Sequence, residues 1–506
     1  MTLHATTDTI VDTAALYNAY AARDARFDGV FYVGVTSTGI YCRPVCSART
    51  PKLANCRFFN SAETAEKASF RPCLRCRPEL APGNAPVDDA HRIATLIAHR
   101  IDEGMLDDGA GPEKIAAHFG WSSRQIRRMV HKELGVSPME LVLTRRLLLA
   151  KQLLSETALP VSEVALASGF SSLRRFNDAF SRRYGMPPSR LRNEPREDKE
   201  RASSVGLLTG GESAPETFTL QLSYRRPFDW LGMLRFLGAR TLKGVERVGD
   251  DGYSRTVRLG NHAGWLRVQN VPEKHALMVE LTHSLTPVLP ALLGRLRNVF
   301  DLSARPDIIA ERLAQDPLLA DAVARNPGLR VPGAFDGFEL AMRAILGQQI
   351  TVKGATTLAG RLVAAFGEPI DTPYADLTQL SPTPELMAGA SVAEVATLGV
   401  VQTRARSIIA LAEEIASGRL RLEPGATPES TIKQLVALPG IGQWTAHYIA
   451  MRALRWPDAF PKEDMILRKR LGGVTAARAE AVSGAWRPWR SYATLHLWQS
   501  DVTVES

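Results

Sequence analysis

Cysteine is scarce and confined: the 506-residue chain has 5, all between Cys42 and Cys76, with none in the 430 residues that follow. A secreted scaffold stapled by disulfides would spread an even number through a small chain, so this usage excludes that class and points to a metal site in a reducing cytoplasm. Long apolar runs are also missing, and no stretch approaches the length of a membrane span. The opening MTLHATTDTIVD lacks the basic-then-apolar order of a secretion signal, so a cytoplasmic protein without a membrane partner is expected. Acid is short relative to base, 53 Asp and Glu against 62 Lys and Arg, a net charge of +9. That excess suits an acidic partner such as nucleic acid, and it suits a mildly basic enzyme equally well. What is present in ordinary amount, 45% hydrophobic and 23% charged residues, excludes wholesale disorder.

The length is enough for three or four domains. Pro, Gly and Asp accumulate at 79–89. The run NEPREDKERASSVGLLTGGESAPE (Asn193 to Glu216) is charged and then Gly/Ser-rich, a linker composition that lets the flanking halves move independently. A softer break lies near Asp301 to Pro306. Residues 90–192 show helical periodicity in two similar units. TFTLQLSYR, YSRTVRLG, GWLRVQNV and ALMVELTH alternate with period two around one amphipathic stretch, Asp229 to Ala239, and predict a small antiparallel sheet with helices. From Pro306 the pattern is helical again. The expectation is a multidomain α+β chain: a small zinc domain (1–85), an all-α double helix-turn-helix (90–192), a linker (193–216), a small antiparallel α+β domain (217–301) and an all-α domain (302–506).

GIYCRPVC and RPCLRC place Cys42 with Cys46, and Cys73 with Cys76, in two knuckles about 26 residues apart, which lets four thiolates converge tetrahedrally on Zn²⁺. Cys56 lies between them without a near partner. Such clusters are most often plain structural ribbons. Here eight cations (Arg43, Arg49, Lys52, Arg57, Lys67, Arg71, Arg75 and Arg77) surround the cluster against three acids, a rim able to hold phosphate beside a strong nucleophile. The run FYVGVTSTGIYCRPVCSART…SFRPCLRCRPE resembles the N-terminal domain of the Ada adaptive-response regulators. That resemblance implies zinc on all four cysteines and irreversible transfer of a methyl group from a DNA phosphotriester to Cys42. It also implies tighter operator binding after methylation, because one negative charge is lost. An Ada protein would continue into a second methyl acceptor for the O-6 position of guanine, in a Pro-Cys-His-Arg context; the absence of cysteine after Cys76 excludes it.

KIAAHFGWSSRQIRRMVHKELGVSP reads as a short helix, a turn at Gly120 and a second helix opening at Ser122 or Ser123, both good N-caps. Arg124, Arg127, Arg128 and Lys132 lie on that second helix. VSEVALASGFSSLRRFNDAFSRRYGMPP repeats the plan, with Gly169 in the turn and Arg174, Arg175, Arg182 and Arg183 beyond it. Ile115, Ala116, Ile126, Val130, Val164, Ala165, Phe176 and Phe180 fit the inward faces. The tandem resembles the AraC-type double helix-turn-helix, which implies arginines at major-groove bases and flanking phosphates.

In the last third, TIKQLVALPGIGQWTAHYIAMRAL reads as helix, tight turn, helix, and Gly440 and Gly442 let backbone N–H groups approach a phosphate at the following helix N-terminus. LPGIG between amphipathic helices resembles the helix-hairpin-helix of DNA-repair glycosylases, and Asp464 in FPKEDMILRKRLGG takes the place of that superfamily's catalytic aspartate. Glu463 adjoins it, and Asp458 falls earlier in the loop. TLQLSYRRPFDWLGMLRFLGAR, LRVPGAFDGFELAMRAILGQQITV and WRPWRSYATLHLWQS narrow the resemblance to 3-methyladenine glycosylase II of the AlkA type, from Phe218 to Gln499.

That resemblance implies excision of alkylated purines, with Trp444, Tyr448 and Trp498 as an aromatic cleft favouring a cationic base. It also implies backbone carbonyls of Val436, Leu438 and Ile441 on a monovalent cation. Bifunctional relatives carry a lysine where Trp444 stands, so no Schiff base forms and a monofunctional enzyme is expected. The leucine wedge of the family is replaced by Gln349, with Gln348 a neighbouring candidate. Lys462, Arg468 and Lys469 are expected on DNA phosphates.

Together these resemblances imply a fused, monomeric, nucleoid-associated bacterial protein that acts on alkylated duplex DNA and a promoter operator, with RNA polymerase as a candidate partner. The alternative is a transcription regulator whose C-terminal half senses damage without catalysis.

Overall fold

The computed structural model describes residues 13–76 (except 25, 26, 29, 30, 60 and 61), the single positions 97 and 113, residues 122–192, and residues 217–499 except 425 and 427. The first helix and Gly120 turn expected at 114–120, with Ile115 and Ala116, lie outside them.

The N-terminal unit comprises α1 (Thr13–Ala21), β1 (Tyr32–Val35), β2 (Ile40–Cys42), β3 (Cys56–Phe59), α2 (Ala62–Lys67) and β4 (Arg71–Pro72), with the sheet in the order β3-β1-β2-β4. Strand β2 pairs with β4 in parallel, so Cys42 at the end of one strand sits beside Cys73 just after the other; the Cys73 N–H donates to the Tyr41 carbonyl at 3.0 Å.

Helices α3 (Ser123–Leu134), α4 (Pro138–Glu156), α5 (Val161–Ala167), α6 (Leu173–Tyr184) and α7 (Pro188–Arg192) follow. Ser122 caps α3 in a capping box with Gln125, and Ser137 caps α4 with Glu140, each supplying acceptors for otherwise orphaned N–H groups. Ile126, Val130, Val164, Ala165, Phe176 and Phe180 are buried as their periodicity requires. Gly169, at φ 84°, makes the turn between α5 and α6.

The third unit is a five-stranded antiparallel sheet in the order β5-β9-β8-β7-β6: β5 (Thr217–Ser223), β6 (Glu246–Gly249), β7 (Gly252–Leu259), β8 (His262–Val271) and β9 (Ala276–Thr282). Helix α8 (Trp230–Gly238) fills the amphipathic stretch and is capped by Asp229. A 3-10 turn (His283–Val288) and α9 (Leu289–Val299) lead to the helical part: α10 (Pro306–Leu313), α11 (Ala320–Arg325), α12 (Gly337–Leu346), α13 (Val352–Phe366), α14 (Pro384–Ala388), α15 (Val392–Thr397), α16 (Gln402–Ala416), α17 (Pro428–Ala437), α18 (Gln443–Arg452), α19 (Met465–Arg470), α20 (Ala476–Ser483) and α21 (Arg490–Gln499). Two short strands, β10 (Glu368–Pro369) and β11 (Gln379–Leu380), interrupt the helices that the sequence pattern predicts there.

A buried ionic network fastens the sheet to α12. Arg255 on β7 donates to Glu339 at 2.9 Å, Arg343 donates to Glu246 on β6 at 3.0 Å, and Tyr253 donates to Glu246 at 2.7 Å. Burial alone would raise the Glu246 carboxyl, but the Arg343 and Arg255 guanidiniums outweigh it and hold it below the usual range. Removing one partner of such a network strands a buried charge. Glu339→Gln is therefore expected to destabilise the C-terminal half by about 3 kcal/mol, read from denaturant unfolding. An unchanged midpoint would show that the network contributes nothing net.

Candidate active site and metal centre

The four cysteine sulfurs of Cys42, Cys46, Cys73 and Cys76 lie within 4.8 Å of one another. Hydrogen bonds to Cys46 and Cys76, then burial, push the Cys42 thiol up, while hydrogen bonds from Cys42 and Cys76 pull Cys46 down. Four soft donors sharing protons in so small a volume fit Zn²⁺, which replaces those protons. Cys56 stays apart, its sulfur directed at the Lys52 carbonyl at 3.5 Å and its thiol raised by burial.

The cationic rim is smaller than the residue count suggests. Arg43 is buried and its guanidinium is bound by Asp28, with Nε at 2.9 Å, so it is a neutralised internal support. Its backbone N–H donates to the Cys76 sulfur at 3.3 Å. Arg49, Lys52, Arg57, Arg71 and Arg75 are exposed; Arg77 lies outside the described residues, and the Lys67 side chain is not among those described. On the helix-turn-helix helices, Arg124, Arg127, Arg128, Arg174 and Arg175 are all exposed.

The second site forms where α18, α19 and α21 meet. Asp464 closes a turn by donating its N–H to the Pro461 carbonyl at 2.8 Å, then caps α19 by accepting the Leu467 N–H at 2.8 Å. Its other donors are two indoles: Trp444 Nε1–H reaches Oδ2 at 2.8 Å and Trp498 Nε1–H reaches Oδ1 at 3.1 Å. The carboxylate is buried, 8% exposed, at the edge of a cavity of about 960 Å³. Asp458, by contrast, is consumed by Arg490, at 2.8 and 3.0 Å, and by Arg487 at 3.2 Å.

Trp444 and Tyr448 stack with centroids 5.3 Å apart and planes at 7°, and Tyr448 meets Trp498 at 6.3 Å, so one cavity wall is continuous aromatic surface. Phe236, Arg240, Arg343 and Arg452 are among the other lining residues. These were not evident in the sequence. Arg452 could have been found by its i, i+4 spacing from Tyr448, to whose hydroxyl it donates at 2.8 Å; Arg240 comes from another domain and carries no local signal. Burial would raise the Tyr448 phenol, but Arg452 and Arg240 outweigh it and bring it below the usual tyrosine range.

Gly440 (φ 77°) makes the hairpin turn, and a Cβ there would lie 2.3 Å from Ser407 Oγ; Gly442 faces open space, so a backbone can approach it. The Ile441 N–H donates to the Leu438 carbonyl at 3.3 Å, closing the turn that also follows Val436. Gln348 is half-buried and tethered, donating to the Gly440 carbonyl at 2.9 Å and Thr445 Oγ1 at 3.0 Å, while Arg404 binds its carbonyl. Gln349 is exposed in a left-handed conformation, φ 56°. Half-exposed Lys462 pairs with Glu480 at 3.5 Å, Arg468 donates to the Val474 carbonyl at 2.8 Å, and Lys469 is exposed.

The chain thus combines a four-thiol centre, helices bearing exposed arginines, and a helical hairpin near an aspartate held by paired indoles. Family models match accordingly: the metal binding domain of Ada over residues 15–79, a helix-turn-helix domain over 115–194, the AlkA N-terminal domain over 219–336, and the HhH-GPD superfamily of base excision DNA repair proteins over 342–483. A Mycobacterium tuberculosis protein described as a probable bifunctional transcriptional activator/DNA repair enzyme AlkA is 38% identical over 96% of both chains. The DNA-3-methyladenine glycosylase 2 of Escherichia coli is 35% identical over 55% of this chain and 96% of its own. The Escherichia coli bifunctional activator/repair enzyme Ada is 46% identical over 24% of this chain and 33% of its own. The chain belongs to the family of bifunctional transcriptional activator/DNA repair enzymes of the AlkA type. It joins an Ada-type zinc domain and a DNA-binding helix-turn-helix to a DNA glycosylase, and none of its described helices is long and apolar enough to cross a membrane.

The purified chain is expected to hold about one zinc, and Cys46→Ser to lose it. Chelation should unfold the 13–76 unit and leave the C-terminal half folded, as read by metal analysis and hydrogen exchange. Full zinc content in the variant would remove the four-thiol assignment.

Proposed function

We propose that this protein hydrolytically excises alkylated purines of the 3-methyladenine and 7-methylguanine type, and that its N-terminal half takes a methyl group from DNA phosphotriesters onto Cys42. The observation that carries the first part is the Asp464 carboxylate received by the Trp444 and Trp498 indoles at the aromatic cavity.

An alkylated purine already bears positive charge in its ring. Once flipped from the duplex it stacks against Trp444, Tyr448 and Trp498, whose electron-rich faces favour a cationic ring over a neutral one. The bond from C1′ to the purine nitrogen then breaks, and its electron pair leaves with the base. Positive charge develops on the sugar opposite Asp464, whose fixed negative charge stabilises it without reorganisation. Water, oriented by Asp464, adds to C1′ and loses its proton to the surrounding solvent. Trp444 stands where a Schiff-base lysine would be, so strand cleavage does not accompany excision. Gln349, exposed and set apart from the tethered Gln348, is the residue that enters the gap left by the flipped base. Gly440 and Gly442 offer N–H groups to a phosphate, and the carbonyls of Val436, Leu438 and Ile441 would hold a monovalent cation.

In the N-terminal half, the Cys42 sulfur attacks the methyl carbon of a phosphotriester; the S–C bond forms as the C–O bond breaks, and the phosphodiester leaves as an anion. Zinc held by Cys42, Cys46, Cys73 and Cys76 would keep that sulfur deprotonated at neutral pH. Arg49, Lys52, Arg57, Arg71 and Arg75 would grip the flanking phosphates, and methylation would strengthen operator binding by Arg124, Arg127, Arg128, Arg174 and Arg175. A monomer in the bacterial cytoplasm, bound to the nucleoid and engaging RNA polymerase at a promoter, completes this reading.

Wild-type protein should release free 3-methyladenine and 7-methylguanine from methylated duplex DNA, and Asp464→Asn should do so about a hundred- to a thousandfold more slowly while still binding the duplex. Release by neither protein would make the C-terminal half a sensing module and leave a transcription regulator.

A further inference from the structure

Linker composition at 193–216 allows two independent halves, yet the second helix-turn-helix is fastened to the glycosylase sheet. Strand β5 is the sheet edge and pairs on one side with β9. Its other side presents backbone groups that need partners. At Gln221 the partners are side chains of α4: the Gln152 amide donates to the Gln221 carbonyl at 2.8 Å, and the Glu156 carboxylate accepts the Gln221 N–H at 3.0 Å. Gln152 and Glu156 are one helical turn apart and hydrogen-bond each other at 3.0 Å, so together they imitate one residue of a neighbouring strand.

The contact continues into α5. Glu163 lies 3.3 Å from His283 Nδ1 on the 3-10 turn, and the Phe218 ring of β5 meets the His283 ring edge-on at 5.2 Å. Leu153, Val164 and Phe170 share one continuous buried cluster with Phe218, Leu220 and Leu285. Phe170 in turn packs on Phe176 of α6 at 5.2 Å, so the helix bearing Arg174 and Arg175 is locked to the same core. From β7 and β6, the Arg255–Glu339 and Arg343–Glu246 pairs carry the sheet to α12, which ends at Leu346, next to Gly347 of the cavity lining.

We propose that the β5 edge docks the second helix-turn-helix so that α6 serves the glycosylase as a second grip on duplex DNA, fixed relative to the cavity. The docking stands on the contacts above; the role in gripping damaged duplex rests on the excision reading. Its physical basis is rigidity: a duplex held by Arg174 and Arg175 is held at one place relative to Asp464, whereas a tethered module would impose no register.

Two measurements on the full chain test this. Hydrogen exchange should find the Gln221 amide protected. In Gln152→Ala/Glu156→Ala its exchange should accelerate about tenfold or more, with Val279 in the inner strand β9 unchanged as a control of folding. A Gln221 amide that exchanges freely in the wild type would overturn the docking. Affinity for a duplex carrying a tetrahydrofuran abasic analogue should fall about tenfold in Arg174→Ala/Arg175→Ala and by a similar factor in Gln152→Ala/Glu156→Ala. The combined variant should be no weaker than the arginine variant alone. Multiplying losses would mean that α6 and the dock act separately, which overturns the shared grip. If the wild type does not prefer the analogue over undamaged duplex, the excision reading fails while exchange at Gln221 still decides the docking.

Discussion

Everything in the C-terminal half is arranged around a carboxylate that would be costly to bury alone. Asp464 escapes that cost through three donors, the Leu467 N–H and the indoles of Trp444 and Trp498, while none of these neutralises its charge. The three donors come from α19, α18 and α21, so one side chain bridges three helices. The same two indoles line the cavity. Orienting the carboxylate and building the wall that would receive a flat cationic base are thus one structural decision. Arg490 serves the same end indirectly, because by occupying Asp458 it keeps the other buried loop acid out of the site.

A fixed carboxylate is useful only if DNA arrives in register. The buried ionic pairs between the sheet and α12 tie the hairpin side of the cavity to β6 and β7, and the β5 edge ties the sheet to α4 and α5. A chain that composition divides into two halves is therefore packed, from α4 to α21, as one continuous body. The zinc unit has cores of its own, as a module built on four thiols and one small sheet would.

Much of this was legible in the residues, for local reasons. Cysteine knuckles declare a metal site because both members of each pair lie within one turn of chain. LPGIG and the loop before Asp464 are short-range signals of the same kind, and the period-two runs at 217–282 form strands; in β5 the buried residues alternate as read, whereas β7 is buried along nearly its whole length. What escaped notice depends on contacts between distant segments. Arg43 belongs to the cationic rim by residue count, but Asp28, 15 positions away, neutralises it. Gln348 and Gln349 are indistinguishable by type; Gly440 and Thr445, more than 90 positions on, hold the first and leave the second exposed. Arg240 reaches the cavity from the other domain. Linker composition at 193–216 reports the freedom of a connection and says nothing of what α4 and β5 do once near each other.

The central claim is that the fixed negative charge of Asp464 meets a cation developing on the sugar. The most direct test compares affinity for duplexes carrying a cationic pyrrolidine abasic analogue and a neutral tetrahydrofuran one. Wild-type protein should prefer the cation by about tenfold or more, and Asp464→Asn should bind both equally. A preference that survives in Asp464→Asn, or one absent from the wild type, would contradict the account.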